Sequence, residues 1–275
     1  MAKAKWQLGI VGAGVMGRTL IKALLEKQLI EPSRVWIGAR AKGSADGVAS
    51  EFGITASENY GPLARQTEII LLCVKPKQIP NVVAKLKRAR LDKKVLVVSI
   101  AAGVGIDALE AGLAKGQPVV RAMPNTPAII GEGFTSIARG RYANDAHLEK
   151  TLKIFSSVGA IQEIEERLFD AATGLAASGP AYFFLIMEAL ADGGVRVGLP
   201  RDLALRMVTK TMLGSARMVE ELHCHPASLR DQVTTPAGCT IGALLVMEDG
   251  KIRSTLARAI EEAAKIAAKL GSAKS

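Results

Sequence analysis

The chain is expected to fold as an α/β protein, with a sheet of parallel strands and helices on both faces over residues 1–164 and an all-helical half over residues 165–275. Three observations predict this. Gly12, Gly14 and Gly17 stand at the spacing G-x-G-x-x-G between a short apolar run, Leu8 to Val11, and a helix-like pattern of Leu20, Ala23, Leu24 and Leu25. The runs Glu68 to Val74, Lys94 to Ile100 and Pro118 to Met123 are largely continuous in apolar residues, as strands buried on both faces of a parallel sheet are. Beyond Glu165 such runs stop, and apolar residues recur at helical spacing.

In a strand-loop-helix unit the first glycine makes the tight turn, the second lets a pyrophosphate approach the backbone, and the third lets helix and strand pack closely. The helix start beyond them offers free N–H groups and a favourable dipole to phosphate. In a chain with 27 glycines the spacing alone is weak, but the flanking strand and helix make this a Rossmann-type dinucleotide site. Lysines before an apolar run also occur in signal peptides. Here the glycines interrupt the run, which reads as the first strand.

The second strand, Arg34 to Arg40, ends near the place where a ribose-binding carboxylate is expected, and none is present. Arg40, Lys42 and Ser44 follow instead, a set that favours the 2'-phosphate of NADP, so NADPH is the expected cofactor with NADH as the alternative. The next three strands end in Lys75-Pro76, in Ala101-Ala102-Gly103 and in Pro124-Asn125-Thr126-Pro127. Ligands of open α/β sheets bind beyond the carboxyl ends of the strands, so these tips point at one place. Phe134 to Ala138 and Ala160 to Glu163 read as closing strands around a helix near Asp145 to Ser157.

In the second half, Arg167 to Ala177, Ala181 to Val197, Arg201 to Leu222 and Gly250 to Leu270 read as helices, with a break at Ser178-Gly179-Pro180 and Pro200 in the first turn of the third. Ala204, Leu205, Val208, Met212, Ala216 and Val219 form a stripe expected to be core. Gly193, Gly194, Gly198 and Gly214 allow the close helix contacts of an oligomerisation domain. The uncharged stretch Ala171 to Met187 is marginal in length for a membrane span and reads as two buried helices.

With 49% hydrophobic residues and only 4% aromatic, the core is built from Ala, Val, Ile and Leu. The net charge of +10 invites a nucleic-acid reading, but the densest cluster, Lys85, Lys87, Arg88, Arg90, Lys93 and Lys94, straddles a helix end and a loop without interleaved aromatics. A positive field equally attracts small anions. Cys73, Cys224 and Cys239 contain no C-x-x-C pair, which points to a reducing, cytoplasmic setting. His223, Cys224 and His225 crowd together beside Pro226, yet adjacent residues rarely converge on one ion, and no metal is expected.

A substrate must be recognised in the second half. Thr234-Thr-Pro-Ala-Gly-Cys-Thr-Ile241 sets small and hydroxyl residues before an apolar helical pattern, Ile241 to Met247, whose free N–H groups near Gly238, Cys239 and Thr240 would cradle a carboxylate. An ordinary helix cap by Thr234, Thr235 or Thr240 is the competing reading. No His-Asp or Lys-Glu arrangement in this half reads as an acid-base pair.

Val74-Lys75-Pro76, Ser99 to Val104, Arg121-Ala-Met-Pro-Asn-Thr-Pro127, Ser178-Gly-Pro-Ala-Tyr182, Asp192 to Val195, Gly198 to Arg201, His225-Pro226 and Asp231 to Thr240 resemble, in order and over nearly the full chain, the pyrroline-5-carboxylate reductase family. The resemblance implies NAD(P)H-dependent reduction of 1-pyrroline-5-carboxylate to L-proline, the last step of proline synthesis. It places Gly12, Ala13, Gly14, Val15 and Met16, with Gly17, at the pyrophosphate, Arg40 at the 2'-phosphate and Asn59 on the adenosine side. Val74, Lys75, Pro76, Ala101 and Ala102 are implied on the nicotinamide side. Thr240 corresponds to the family's substrate-contacting threonine, with Asp231, Val233, Pro236, Ala237, Gly238 and Cys239 completing the pocket. The family also implies interleaved homodimers through the helical half, one subunit's Thr240 serving its neighbour's cofactor.

Ala176-Ala177 stand where the family pattern has Ser-Gly, and Ala237 where it has glycine, and an added methyl that disfavours positive φ is expected to alter the loop's shape. A cyclic imine protonated in solvent needs orientation more than an acid-base pair, which fits the missing pair. The rival readings are a related imine or β-hydroxy acid oxidoreductase, for which Lys210 has no supporting motif, and a non-catalytic dinucleotide sensor, which would lack the substrate loop.

Overall fold

The computed structural model describes residues 7–38, 45–57 and 60–272. Eight described strands, β1 (Leu8–Val11), β2 (Val35–Gly38), β3 (Thr55–Ser57), β4 (Ile69–Leu72), β5 (Leu96–Ser99), β6 (Val119–Met123), β7 (Gly133–Arg139) and β8 (Gly159–Glu163), form one sheet. Their order is β3-β2-β1-β4-β5-β6-β7-β8, with every pair parallel except β6 and β7. Helices α1 (Val15–Glu26), α2 (Asp46–Phe52), α3 (Tyr60–Gln66), α4 (Ile79–Arg88), α5 (Ile106–Gly112) and α6 (Asp145–Phe155) connect or flank the strands.

The apolar runs alternate strictly between two cores. Ile69, Leu71, Leu96, Val98, Val120 and Ala122 pack with Leu20 and Leu24 of α1 and Phe155 of α6, whereas Ile70, Leu72, Val97 and Val119 pack with Leu63, Val83, Leu86 and Leu109 of α3, α4 and α5. A strand with both faces covered has no solvent face to carry polar residues, which is why these runs are unbroken. The edge strand β3 was not expected. It is three residues long with no fully buried side chain, so no periodicity marks it.

Contacts divide the chain into two compact units, Met1–Ser178 with Glu262–Ser275, and Gly179–Glu261. The first includes a short helix, α7 (Phe169–Ala172), and a π-helical turn over Thr173–Ala177 in which Ser178 N–H reaches the Thr173 carbonyl at 3.0 Å. The second contains α8 (Gly179–Arg196), α9 (Arg201–Leu222), α10 (Pro226–Gln232), α11 (Cys239–Asp249) and the first half of α12 (Ile252–Ser272). The break expected at Ser178-Gly179-Pro180 is therefore a change of helix type: Ser178 keeps right-handed helical angles, and the wider turn accommodates the N–H that Pro180 lacks.

Within the second unit α8 and α9 pack closely, with Gly194 facing Ala204 so tightly that a Cβ would meet the Ala204 methyl at 3.1 Å, and Arg201 donates to Asp192 at 2.6 Å. The expected core stripe of α9 is a correction. Only Ala204 is buried, while Leu205 and Val219 are exposed, and so are Phe183, Phe184 and Leu185 of α8. The apolar stretch 171–187 is likewise not buried within one chain. Apolar faces of this extent exceed what a monomer ordinarily exposes and mark an association surface.

Candidate active site

Strand order reverses at β1, with β2 on one side and β4 on the other, and ligands of such sheets bind in the crevice beyond these carboxyl ends. The three glycines there are required for three different reasons. Gly12 holds φ +110°, and a Cβ on it would lie 2.5 Å from the Cys73 carbonyl oxygen. A Cβ on Gly17 would collide with the Gly12 carbonyl oxygen. Gly14 has nothing within 4 Å of its Cβ position, so no protein atom demands a glycine; the space is what a close-approaching pyrophosphate needs. Gly14 is also the N-cap of α1 and no side chain caps that helix, leaving its first N–H groups for an anion. Val15 is exposed at the first helical position, whereas Met16 packs on the core.

A cavity of about 520 Å³ opens from Gly12 and Ala13 to Gly38 at the tip of β2, Ala45, and Val74 beyond β4, walled by Tyr60 and one face of α4. Lys75 is extended and exposed, and Pro76 opens the turn into α4. Ala101 is buried and Ala102 half-buried in the turn after β5, which is fixed by the Ala101 N–H donating to Ser99 Oγ at 3.3 Å. Burial pushes the Cys73 thiol up to about 12, so it stays neutral beside the glycine loop. Arg40, Lys42, Ser44 and Asn59 lie outside the described residues.

Two contacts beneath the strand tips join residues far apart in sequence. Arg121 on β6 is 5% exposed; its Nη1 donates to Glu166 Oε1 at 3.3 Å and its guanidinium lies 4.2 Å from the centre of the Phe169 ring. Burial lowers the Arg121 pKa from its ordinary value and the Glu166 charge opposes that shift. The same Glu166 oxygen accepts the Ile106 N–H at 2.6 Å, satisfying the start of α5, whose N-cap Gly105 has no side chain to do so. Asn125 clamps the next tip: its Oδ1 accepts from Phe134 N–H at 2.9 Å and its Nδ2 donates to the Ala176 carbonyl of the π-helical turn at 3.1 Å. A carboxylate in the run Glu165-Glu166-Arg167 reads in sequence as solvated charge, so nothing signalled this pairing.

In the second unit, α10 ends beside Asp231, which pairs with Arg230 at 2.8 Å, and Val233 follows, exposed. None of the three threonines caps α11. The N-cap is Gly238, the Thr234 hydroxyl donates back to the Arg230 carbonyl at 2.7 Å, and Gly238 N–H reaches the Thr235 carbonyl at 3.1 Å. Cys239, Thr240 and Ile241 thus begin a helix with no capping side chain, as a carboxylate cradle requires. Pro236, Ala237 and Cys239 are exposed, and a Cβ on Gly238 would meet Thr235 Oγ1, so a larger residue there would have to turn the Thr235 hydroxyl away. His225 accepts the Ala227 N–H at 3.2 Å as the cap of α10, a structural task for the imidazole.

Ala237 adopts φ +55°. The loop makes a left-handed turn at this position, and the alanine bears the strain. Ala237→Gly is accordingly expected to raise stability by about 0.5–1 kcal/mol, seen as a higher urea midpoint at unchanged slope.

A glycine loop open at Gly14, an uncapped α1 and a cavity at the switch point define a Rossmann-type, dinucleotide-dependent oxidoreductase architecture joined to a helical association unit. Residues 7–103 match the family model described as NADP oxidoreductase, coenzyme F420-dependent, and residues 166–270 match pyrroline-5-carboxylate reductase dimerisation. The chain is 38% identical to the pyrroline-5-carboxylate reductase of Synechocystis sp. over 96% of its own length and 98% of that protein, and 34% identical to that of Escherichia coli over 92% and 94%. The solved pyrroline-5-carboxylate reductase of Coxiella burnetii superposes with a TM-score of 0.90 at 31% identity, covering 97% of this chain and 99% of that one. The Plasmodium falciparum enzyme, solved with NADP bound, gives 0.87 at 29% identity over 98% and 100%. The chain belongs to the pyrroline-5-carboxylate reductase family.

Proposed function

We propose that this protein reduces 1-pyrroline-5-carboxylate to L-proline, with NADPH as the preferred cofactor and NADH as the alternative. The observation that carries the reading is the uncapped start of α11 at Gly238-Cys239-Thr240, a carboxylate cradle with a hydroxyl at its second position, in a chain whose first unit has a dinucleotide crevice. The cofactor fits the residues present: Gly14 leaves the space for its pyrophosphate, and α1 leaves uncapped N–H groups toward it. When bound, its nicotinamide supplies the reducing equivalent to the imine carbon.

The chain's own work is orientation. The first-turn N–H groups of α11 hold the substrate carboxylate, and the Thr240 hydroxyl oxygen accepts from the protonated imine N–H, so that the C=N bond faces the nicotinamide side formed by Val74, Lys75, Pro76, Ala101 and Ala102 of a second copy. Asp231, Val233 and the loop 236–240 complete the pocket. No acid-base pair is needed, because the imine takes its proton from solvent. Residues 1–164 serve as the cofactor domain and residues 165–275 as the dimerisation and substrate domain, a division supported by the family match over 166–270. The exposed apolar faces of α8 and α9 are covered by a second copy, in a homodimer or larger assembly whose Thr240 serves the neighbouring cofactor. The enzyme works in the cytoplasm with no membrane or nucleic-acid partner.

The test is absorbance of NADPH and NADH during incubation with pyrroline-5-carboxylate. Substrate-dependent oxidation, faster with NADPH, is expected; oxidation of neither cofactor sinks the reading. Thr240→Ala is expected to lower kcat about 10–100-fold, the worth of one hydrogen bond to a charged centre. An unchanged rate would remove Thr240 from the mechanism.

A further inference from the structure

The basic cluster on α4 divides in two. Lys87 and Arg88 are exposed in the last turn of the helix, where cations complement the dipole. Lys85 points elsewhere. It is spaced by four residues from Asn81 on the same face of α4, and that face, with Lys77 in the turn before the helix, lines the cavity beside the glycine loop.

The cavity has a definite electrostatic character. Its described lining includes Lys77 and Lys85, together with the amides of Gln78 and Asn81, and contains no Asp or Glu. The Lys85 ammonium stands 5.4 Å from the centre of the Tyr60 ring, and Tyr60 is itself buried with its phenol pKa raised by burial, so the ammonium faces a neutral ring and, among the described residues, pairs with no carboxylate. The lining also includes Gly38 at the tip of β2, beside the place a dinucleotide's adenosine ribose takes when its pyrophosphate sits on the glycine loop. An adenine base is neutral and is served by amides such as Gln78 and Asn81. It gives two ammonium groups nothing to neutralise. A phosphate monoester on the ribose carries between one and two negative charges and accepts several hydrogen bonds.

We propose that Lys77, in the turn before α4, and Lys85, on α4, both lining the cavity, are specificity-determining residues that select the 2'-phosphorylated cofactor, in addition to the basic segment after β2. This rests on the NADPH preference proposed above. Lysine suits the task as a point charge on a long stem, because it follows a phosphate without the fixed planar geometry an arginine imposes. Lys85 is held near the cavity by the Tyr60 face, so less side-chain freedom is lost when the phosphate arrives.

The test is calorimetric binding of adenosine 2',5'-bisphosphate and adenosine 5'-monophosphate to the full chain at fixed ionic strength, with unliganded thermal unfolding to show that each variant folds. Lys77→Gln and Lys85→Gln are each expected to reduce the affinity ratio of the two nucleotides about tenfold. Lys85→Arg should retain most of the ratio. Lys87→Gln removes the same charge away from the cavity and should change the ratio less than about twofold. If both cavity variants weaken the two nucleotides alike, or shift the ratio no more than Lys87→Gln, the inference is overturned while the NADPH preference stands. A wild-type protein that binds both nucleotides equally would overturn that preference and this inference together.

Discussion

Gly12→Ala is expected to cost more than about 3 kcal/mol of stability and to weaken NADPH binding more than about 100-fold. Two independent penalties add. The backbone at φ +110° is a conformation L side chains rarely adopt, and the new methyl would lie 2.5 Å from the Cys73 carbonyl oxygen and 2.8 Å from its carbon. Neither strand tip can yield, because Cys73 N–H is bonded to the Val11 carbonyl at 2.8 Å in continuation of the β1–β4 ladder. Gly14→Ala supplies the contrast. Its Cβ meets nothing within 4 Å, so the fold should be nearly unchanged, while the methyl occupies the approach to the uncapped α1 start. Urea unfolding and fluorescence titration with NADPH separate the cases: Gly12→Ala loses stability and binding, Gly14→Ala binding alone. Equal stability loss in both would mean that packing, and not cofactor approach, explains the second glycine.

The cofactor half was legible in sequence because its physics is local. The glycine loop needs six residues in a row, and β4, β5 and β6 announce themselves because both faces are covered. The start of α11 was also readable, although sequence left three threonines as rival caps and only the backbone showed that none of them caps the helix. What was not legible depends on partners distant in the chain or on angles. The α9 stripe reads as core by its period, yet period reports that a face is apolar and not whether the same chain covers it. Ala237 could be seen to disfavour a left-handed turn, but not that the chain makes one there, at φ +55°. The cavity face of α4 was hidden inside a longer basic cluster, and only the orientation of the helix separates Lys85 from Lys87.

Glu166→Ala is expected to lower stability by about 3 kcal/mol and to raise KM for the cofactor, because one carboxylate oxygen holds two elements together. It accepts from Arg121 Nη1 at 3.3 Å and from the Ile106 N–H at 2.6 Å. Removing it leaves a guanidinium on a side chain only 6% exposed without its pairing carboxylate, and Arg121 already has a buried Nε with no partner. The Phe169 ring and the charge of Asp170 offset part of that cost, which is why the loss should fall at the lower end for a broken buried pair. The effect on the cofactor follows from position. Ile106 begins α5 directly after the turn containing Ala101, Ala102 and Gly103, so releasing its N–H loosens a turn assigned to the nicotinamide side. Glu166→Gln keeps an acceptor for Ile106 but not the charge, and should retain KM better than it retains stability. The cycle with Arg121→Met completes the argument: the double variant Arg121→Met with Glu166→Ala should be more stable than the sum of the single losses by about 2 kcal/mol, measured by urea unfolding at one protein concentration. Additive losses would show that Arg121 and Glu166 act separately, Glu166 as a cap for α5 and Arg121 through Phe169.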